Sequence, residues 1–251
     1  MRPWLPILAL VVLARPAAGG VDVSWNACSP IVTDRLLPSG ATSSRLYFSV
    51  TGLTGTVKSF EIRFRYGSQW AGDCGALHPP DAWRFDDAGC EGQANLLQIK
   101  TTSSDPACPQ LTGPTGLNLT KIEYDPLIGR ETVIIARAWS PAITVDPAVR
   151  YQIANVTFDH TYAVSGPGAP PETCGGFEQP ICFTFQGSHD AHGDCYRFGQ
   201  NSYLDGDGVE HSFGAFPSVI ATFRSDASSV ACNGATPATP KTWGALRAQY
   251  R

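Results

Sequence analysis

Helix is the first thing this sequence lacks. Beyond its opening twenty residues no window carries apolar side chains at helical spacing over ten or more positions, and 25 glycines and 20 prolines punctuate the chain, which excludes a helical core. Charge is scarce as well, at 16% of residues, with 18 basic against 22 acidic. A mildly acidic chain is a poor match for a polyanion, so nucleic acid is excluded as a partner. No later segment approaches the roughly 20 apolar residues of a membrane-crossing helix. The sequence also has no Cys-x-x-Cys pair, no His-Glu-x-x-His helix, no Gly-x-Ser-x-Gly elbow and no phosphate-cradling glycine loop. Those absences remove the commonest signatures of structural zinc, metalloprotease, hydrolase and nucleotide chemistry.

What is present begins with an export signature. Residues 1–20 combine a cationic start at Arg2, an apolar run from Trp4 to Leu13 and the small residues Ala17, Ala18 and Gly19. That is the layout of a cleaved signal peptide, with an apolar run too short to anchor the chain. Cleavage leaves 231 residues with a net charge of −6 and all eight cysteines. An even cysteine count in an exported chain predicts disulfides, and connectivity is open among about 105 pairings. Two pairs are favoured: Cys174–Cys182, which closes a short loop containing glycine and proline, and Cys90–Cys108.

The rest reads as short strands. In "VKSFEIRFRY", Val57–Tyr66, the apolar Phe60, Ile62, Phe64 and Tyr66 alternate with Glu61, Arg63 and Arg65, the period-two pattern of a strand with one buried face. "RLYFSV" precedes it across "TGLTGT", and the two runs predict a hairpin. Further strands are predicted at Leu96–Lys100, Leu117–Tyr124, Thr132–Trp139, Tyr151–Phe158, Ile181–Phe185, Ser202–Leu204 with Val209–Phe213, and Val219–Phe223. Strands without intervening helices predict an all-β fold, an antiparallel β-sandwich of about 210 residues spanning 21–232. Residues 74–114, rich in cysteine, proline and glycine, predict a disulfide-braced excursion over its surface. Residues 233–241, "NGATPATPK", read as a semi-extended linker.

Few residues point to chemistry. "GSHDAHGDC" packs His189, Asp190, His192 and Asp194 into six positions, a set suited to zinc or a similar metal if the loop folds inward, though a solvated loop is the plainer reading. Contiguous Ser188, His189 and Asp190 are no triad, because neighbours in extended backbone face opposite ways. "YLDGDGVEH" offers Asp205, Asp207 and Glu210 to calcium, but Asp-Gly between apolar flanks is first a hairpin turn. Asp86, Asp87 and Glu91 are candidate paired carboxylates. Trp70, Trp83 and Tyr196 are candidates for a sugar-stacking platform. Asn118 and Asn155 match glycosylation acceptors within predicted strands. No cofactor is expected, with calcium or zinc as the alternatives.

The last ten residues form a distinct motif. Thr242 caps a short predicted helix whose Trp243, Leu246 and Tyr250 share a face, with Arg247 and Arg251 suited to its C-terminal dipole. Nine residues are too few to hold a helix alone in water, so the segment is expected to order on docking. The ending Thr-Trp-Gly-x-Leu-Arg-x-x-Tyr-Arg resembles the C terminus of many exported bacterial proteins of unknown function, and Val21–Cys28, "VDVSWNAC", resembles the run that opens their mature chains. "LYFSVTGLTGTVKSFEIRF" and "VRYQIANVTFDH" resemble strands of cohesin-like sandwiches. These resemblances imply export, a cohesin-like or jelly-roll β-sandwich, a tail used for sorting or attachment, and no catalytic residues. The expected function is a secreted or cell-surface module that binds a protein or a glycan, or serves structurally, without catalysis. The alternatives are an extracellular hydrolase or metal-binding protein using His189–Asp194, and a carbohydrate-binding module.

Overall fold

A computed structural model describes residues 20–224 apart from 33, 37–41, 71–75, 92–95, 102–104, 114–115, 128, 164–173, 178, 180, 186–200 and 214–219. The His189–Asp194 loop, Tyr196, residues 1–19 of the signal segment and the C-terminal linker and tail lie outside the described residues. The chain folds into strands β1 (Gly20–Trp25), β2 (Asp34–Leu36), β3 (Ser43–Thr51), β4 (Thr56–Gly67), β5 (Gln69–Trp70), β6 (Ala76–Leu77) and β7 (Leu97–Lys100). There follow β8 (Gly116–Asp125), β9 (Arg130–Thr144), β10 (Tyr151–Asp159), β11 (Ile181–Phe185), β12 (Ser202–Asp205), β13 (Glu210–Ser212) and β14 (Ile220–Arg224). The one helical element among the described residues is a single 3-10 turn at Asp81–Trp83.

These strands form two main facing sheets. The smaller has the order β1-β3-β10-β7. In the larger, β9 pairs with β4 along its length and carries β8 on its far side. The other edge of β4 is shared: β12 and then β13 follow from Val57–Glu61, while β11, β14 and β2 follow from Phe64–Gly67. All of this is antiparallel except β14 against β2. The alternation of β4 appears as expected, with Phe60, Ile62, Phe64 and Tyr66 buried. They meet Leu46, Phe48 and Val50 of β3 and Ile153, Val156 and Phe158 of β10 in one core. Phe48 and Phe64 lie 4.6 Å apart across it, Tyr66 and Phe158 5.7 Å, and Trp25 and Phe183 5.2 Å. Burial of each such side chain stabilises the fold by about 1.5–3 kcal/mol.

The structure corrects the predicted hairpin. β3 pairs with β1 and β10, and β4 with β9, β11 and β12, so "TGLTGT" carries the chain from one sheet to the other. Gly52 and Gly55 take positive φ values of 72° and 74° at its ends, and Leu53 between them is buried. Alternation says which face of a strand is buried, and two strands facing each other satisfy it as well as two strands side by side.

Both favoured disulfides are corrected too. Among the described residues the bonds are Cys28–Cys108 and Cys90–Cys174, and Cys182 is disulfide-bonded to another cysteine. Cys28 and Cys108 pack with Tyr47, which alternation places on the outer face of β3. Cys182 lies one residue from the inward Phe183 and so faces away from Cys174.

Part of the 74–114 segment enters the core and does not simply lie over the surface. Trp83 and Phe85 are fully or almost fully buried, so Asp81–Glu91 plugs the sandwich. Ala82 N–H donates to Gly175 O at 2.9 Å, and Cys90–Cys174 fixes the plug's far end. Gly89 is required there, because a Cβ would come within 2.3 Å of Arg84 O.

Candidate binding surface

Two concave regions and one buried polar cluster stand out. The first concavity is a trough of about 620 Å³ on the outer face of the larger sheet. Cross-strand register sets its cross-section: Ser202 lies opposite Glu61, Leu204 opposite Ser59, Ser59 opposite Ala138, and Ala138 opposite Leu117. Opposite residues in a ladder share a face, so small side chains (Ser59, Ala136, Ala138, Ser202) make the floor. Leu204 forms one wall, and Leu117 and Leu119 on β8 form the other. Those two leucines are 80% and 56% exposed, an outlay of apolar surface that folding alone does not explain. Glu61 and Glu210 supply the polar rim, with Glu61 bonded to Arg63 at 2.7 Å.

The second concavity, about 930 Å³, opens at the side of the sandwich between edge strands β7 and β8. Leu97, Ile99 and Ile122 line it, and the Arg84 guanidinium sits 4.1 Å over the Tyr124 ring while bonding Asp86 at 3.1 Å.

The polar cluster lies behind the plug. Glu131 is fully buried and accepts from the Tyr66 hydroxyl at 2.6 Å and from Phe85 N–H at 3.1 Å. Burial pushes its carboxyl up to about 8, against the lowering effect of those two bonds. Glu91 is also buried, and burial with the nearby Asp159 charge raises it to about 7. His160, paired with the Ser44 hydroxyl at 3.1 Å, is driven down to about 3 by burial. These groups titrate unusually, which marks functional sites in many proteins. Here Glu91, Glu131 and His160 have no exposed surface, and Glu131 and His160 lie against Phe85 and Trp83.

The sequence-predicted candidates are scattered. Asp86 binds Arg84, Asp87 is exposed and Glu91 is buried, so the three carboxylates do not converge. Trp83 is no stacking platform: it is fully buried, 4.5 Å from the His160 ring. Asn155 is buried whereas Asn118 is exposed on β8. Asp205 and Asp207 form the expected turn between β12 and β13. One Asp205 oxygen accepts from the backbone of Asp207 and Val209, and the other contacts His211 Nε2 at 2.7 Å. Both oxygens that calcium would use are thereby engaged in holding the hairpin. Among the described residues, no group of three or more His, Cys, Asp or Glu side chains gathers around one point. Sequence reasoning missed the trough, and the exposed leucines of "GLNLT" were its only visible signal.

No known family's model matches this sequence, and none of the curated proteins is similar to it. Some solved structures bear a weak likeness to it. One is the second type II cohesin module of the cellulosomal adaptor ScaA scaffoldin of Acetivibrio cellulolyticus, at 9% identity and TM-score 0.39, over 79% of this chain and 92% of that one. Another is a type II cohesin domain from the cellulosome of the same organism, at 9% identity and TM-score 0.36, over 82% and 95%. Neither transfers a residue role to this chain.

Leucines wall the trough, the side cleft mixes apolar with charged side chains, and Glu91, Glu131 and His160 are buried. Among the described residues no helix is long and apolar enough to cross a membrane.

Proposed function

We propose that this chain is a non-catalytic protein-binding module that works outside the cell, with the outer trough of its larger sheet as the docking surface. The observation that carries the reading is the pairing of a small-residue floor with Leu117 and Leu119, more than half exposed at its wall. A floor of alanine and serine lets a partner's apolar ridge approach the sheet closely, and desolvating the leucines supplies the affinity. The disulfides support an oxidising destination. A photo-crosslinking residue in place of Ala138, in protein kept at its native location, is expected to yield one discrete protein adduct. The same residue in place of Lys100, on the smaller sheet, is expected to yield none. Absence of an adduct at Ala138, or equal labelling at both positions, removes the proposal.

Thr242–Arg251 is proposed as the delivery signal, from its resemblance to the ends of other exported chains. Its deletion is expected to leave the sandwich folded and oxidised but displaced from its normal location. An unchanged distribution in cell fractions refutes that role.

A further inference from the structure

Strand β8 is a long, regular edge whose guards are its charges. It has one partner among the described residues, β9, and their register runs without a break from Gly116↔Trp139 to Asp125↔Arg130. Exposed edges are usually blunted by bulges, proline or shortness. Here ten residues have none of these, and proline appears only at the next position, Pro126.

The side chains on β8 carry a self-complementary code. Lys121 and Glu123 share the outer face and bond at 2.6 Å, with 58% and 40% of their side chains exposed. If a second β8 runs antiparallel alongside with a twofold axis through Ile122, residues opposite one another have numbers adding to twice that of Ile122. Lys121 then faces the second copy's Glu123, and Glu123 faces the second copy's Lys121, making a closed square of alternating charge. The same register brings Leu117 beside the second copy's Leu127, in the turn just after the strand. These are the two most exposed large apolar side chains among the described residues, at 80% and 93%. On the inner face Ile122 meets its own counterpart, so the side cleft that Ile122 and Tyr124 line is covered. One displacement of the register by two residues sets Lys121 against Lys121, so charge selects this alignment over its neighbour.

We propose that a second copy of this chain pairs with it through β8, joining two larger sheets edge to edge. Two docking troughs would then face the same side, doubling the valency of the module proposed above, each trough keeping its small-residue floor and Leu119 while Leu117 turns to the second copy's Leu127. The test is sedimentation equilibrium of the purified full chain over a concentration series, with Lys121→Glu, Glu123→Lys and the double exchange. Wild type is expected to dimerise. Each single variant puts like charges opposite one another twice and is expected to weaken the dimer about tenfold or more. The double exchange, and an equimolar mixture of the two single variants, are expected to restore it. Both sites are exposed, so unfolding is not expected, and thermal melts verify that. A wild type that stays monomeric, single variants that dimerise undiminished, or a mixture that fails to reassociate each overturns the proposal. Crosslinking at Ala138 is expected to persist in Lys121→Glu, so loss of pairing and loss of docking are read separately.

Discussion

Trp83→Ala is expected to lower the free energy of unfolding by about 3–5 kcal/mol, the usual cost of removing a buried indole. Trp83 has no exposed surface and lies among the rings of Phe158 at 5.4 Å, Phe183 at 5.6 Å and Tyr66 at 6.3 Å. It stacks on Phe177 at 6.4 Å with 10° between planes. Those rings come from β4, β10, β11 and the segment beside Cys174, so one side chain ties together both sheets and the plug. The site collapses poorly once emptied, because Cys90–Cys174 holds the plug on one side and the sheets fix the other. Urea denaturation of the oxidised protein measures the loss, and Trp83→Phe is expected to recover a good part of it. A loss below about 1 kcal/mol would mean that the plug is not integral to the core.

Stability is expected to fall as pH rises from about 6.5 to 8, because Glu131 is buried with its proton. Its affinity is pushed up to about 8 from an ordinary 4.5, first by burial. Throughout that interval the folded chain keeps a proton that the unfolded chain has released, so stability is lost with rising pH until the folded group also ionises. The slope is on the order of 1 kcal/mol for each pH unit. Glu91, raised to about 7, contributes with the same sign over a narrower span. His160 has the opposite sign: its folded form stays neutral down to about 3, so it adds stability as pH rises toward its ordinary 6.5 and little beyond. Its opposing contribution is half gone at pH 6.5 and negligible above about 7.5, so the upper part of the window reports the acids. Glu131→Gln keeps an oxygen for the Tyr66 hydroxyl and Phe85 N–H while removing the charge. It is expected to flatten most of the slope and to be more stable than wild type at pH 8. A wild type whose stability rises through this window, or a glutamine variant that keeps the whole slope, contradicts the assignment.

Much of the fold was legible in the chain. The ladder of Phe60, Ile62, Phe64 and Tyr66 appears in β4 with the predicted face inward, and Ile181–Phe185 begins and ends where its β-branched and aromatic run does. Asp205–Gly208 makes the turn its Asp-Gly pairs announced, helped by a φ of 84° at Gly208. Such features depend on neighbours along the chain, which a sequence displays directly. The trough was not legible, because Ser59, Ala138 and Leu117 are far apart in sequence and become neighbours only through the β4–β9 and β9–β8 registers. Nor was the buried acid at Glu131, which reads as an ordinary charged residue in a strand until Tyr66 and Phe85 close over it.

By itself the sequence determined the all-β class, the positions of the principal strands and the inward face of β4, since period-two alternation and turn chemistry are local. Only the tertiary structure decided that β3 and β4 sit in opposite sheets, that Cys28 bonds Cys108 and Cys90 bonds Cys174, and that Trp83 enters the core. Pairing partners are chosen by whole-chain packing, where several arrangements satisfy the same local pattern and the one burying the most apolar surface with its polar groups matched prevails.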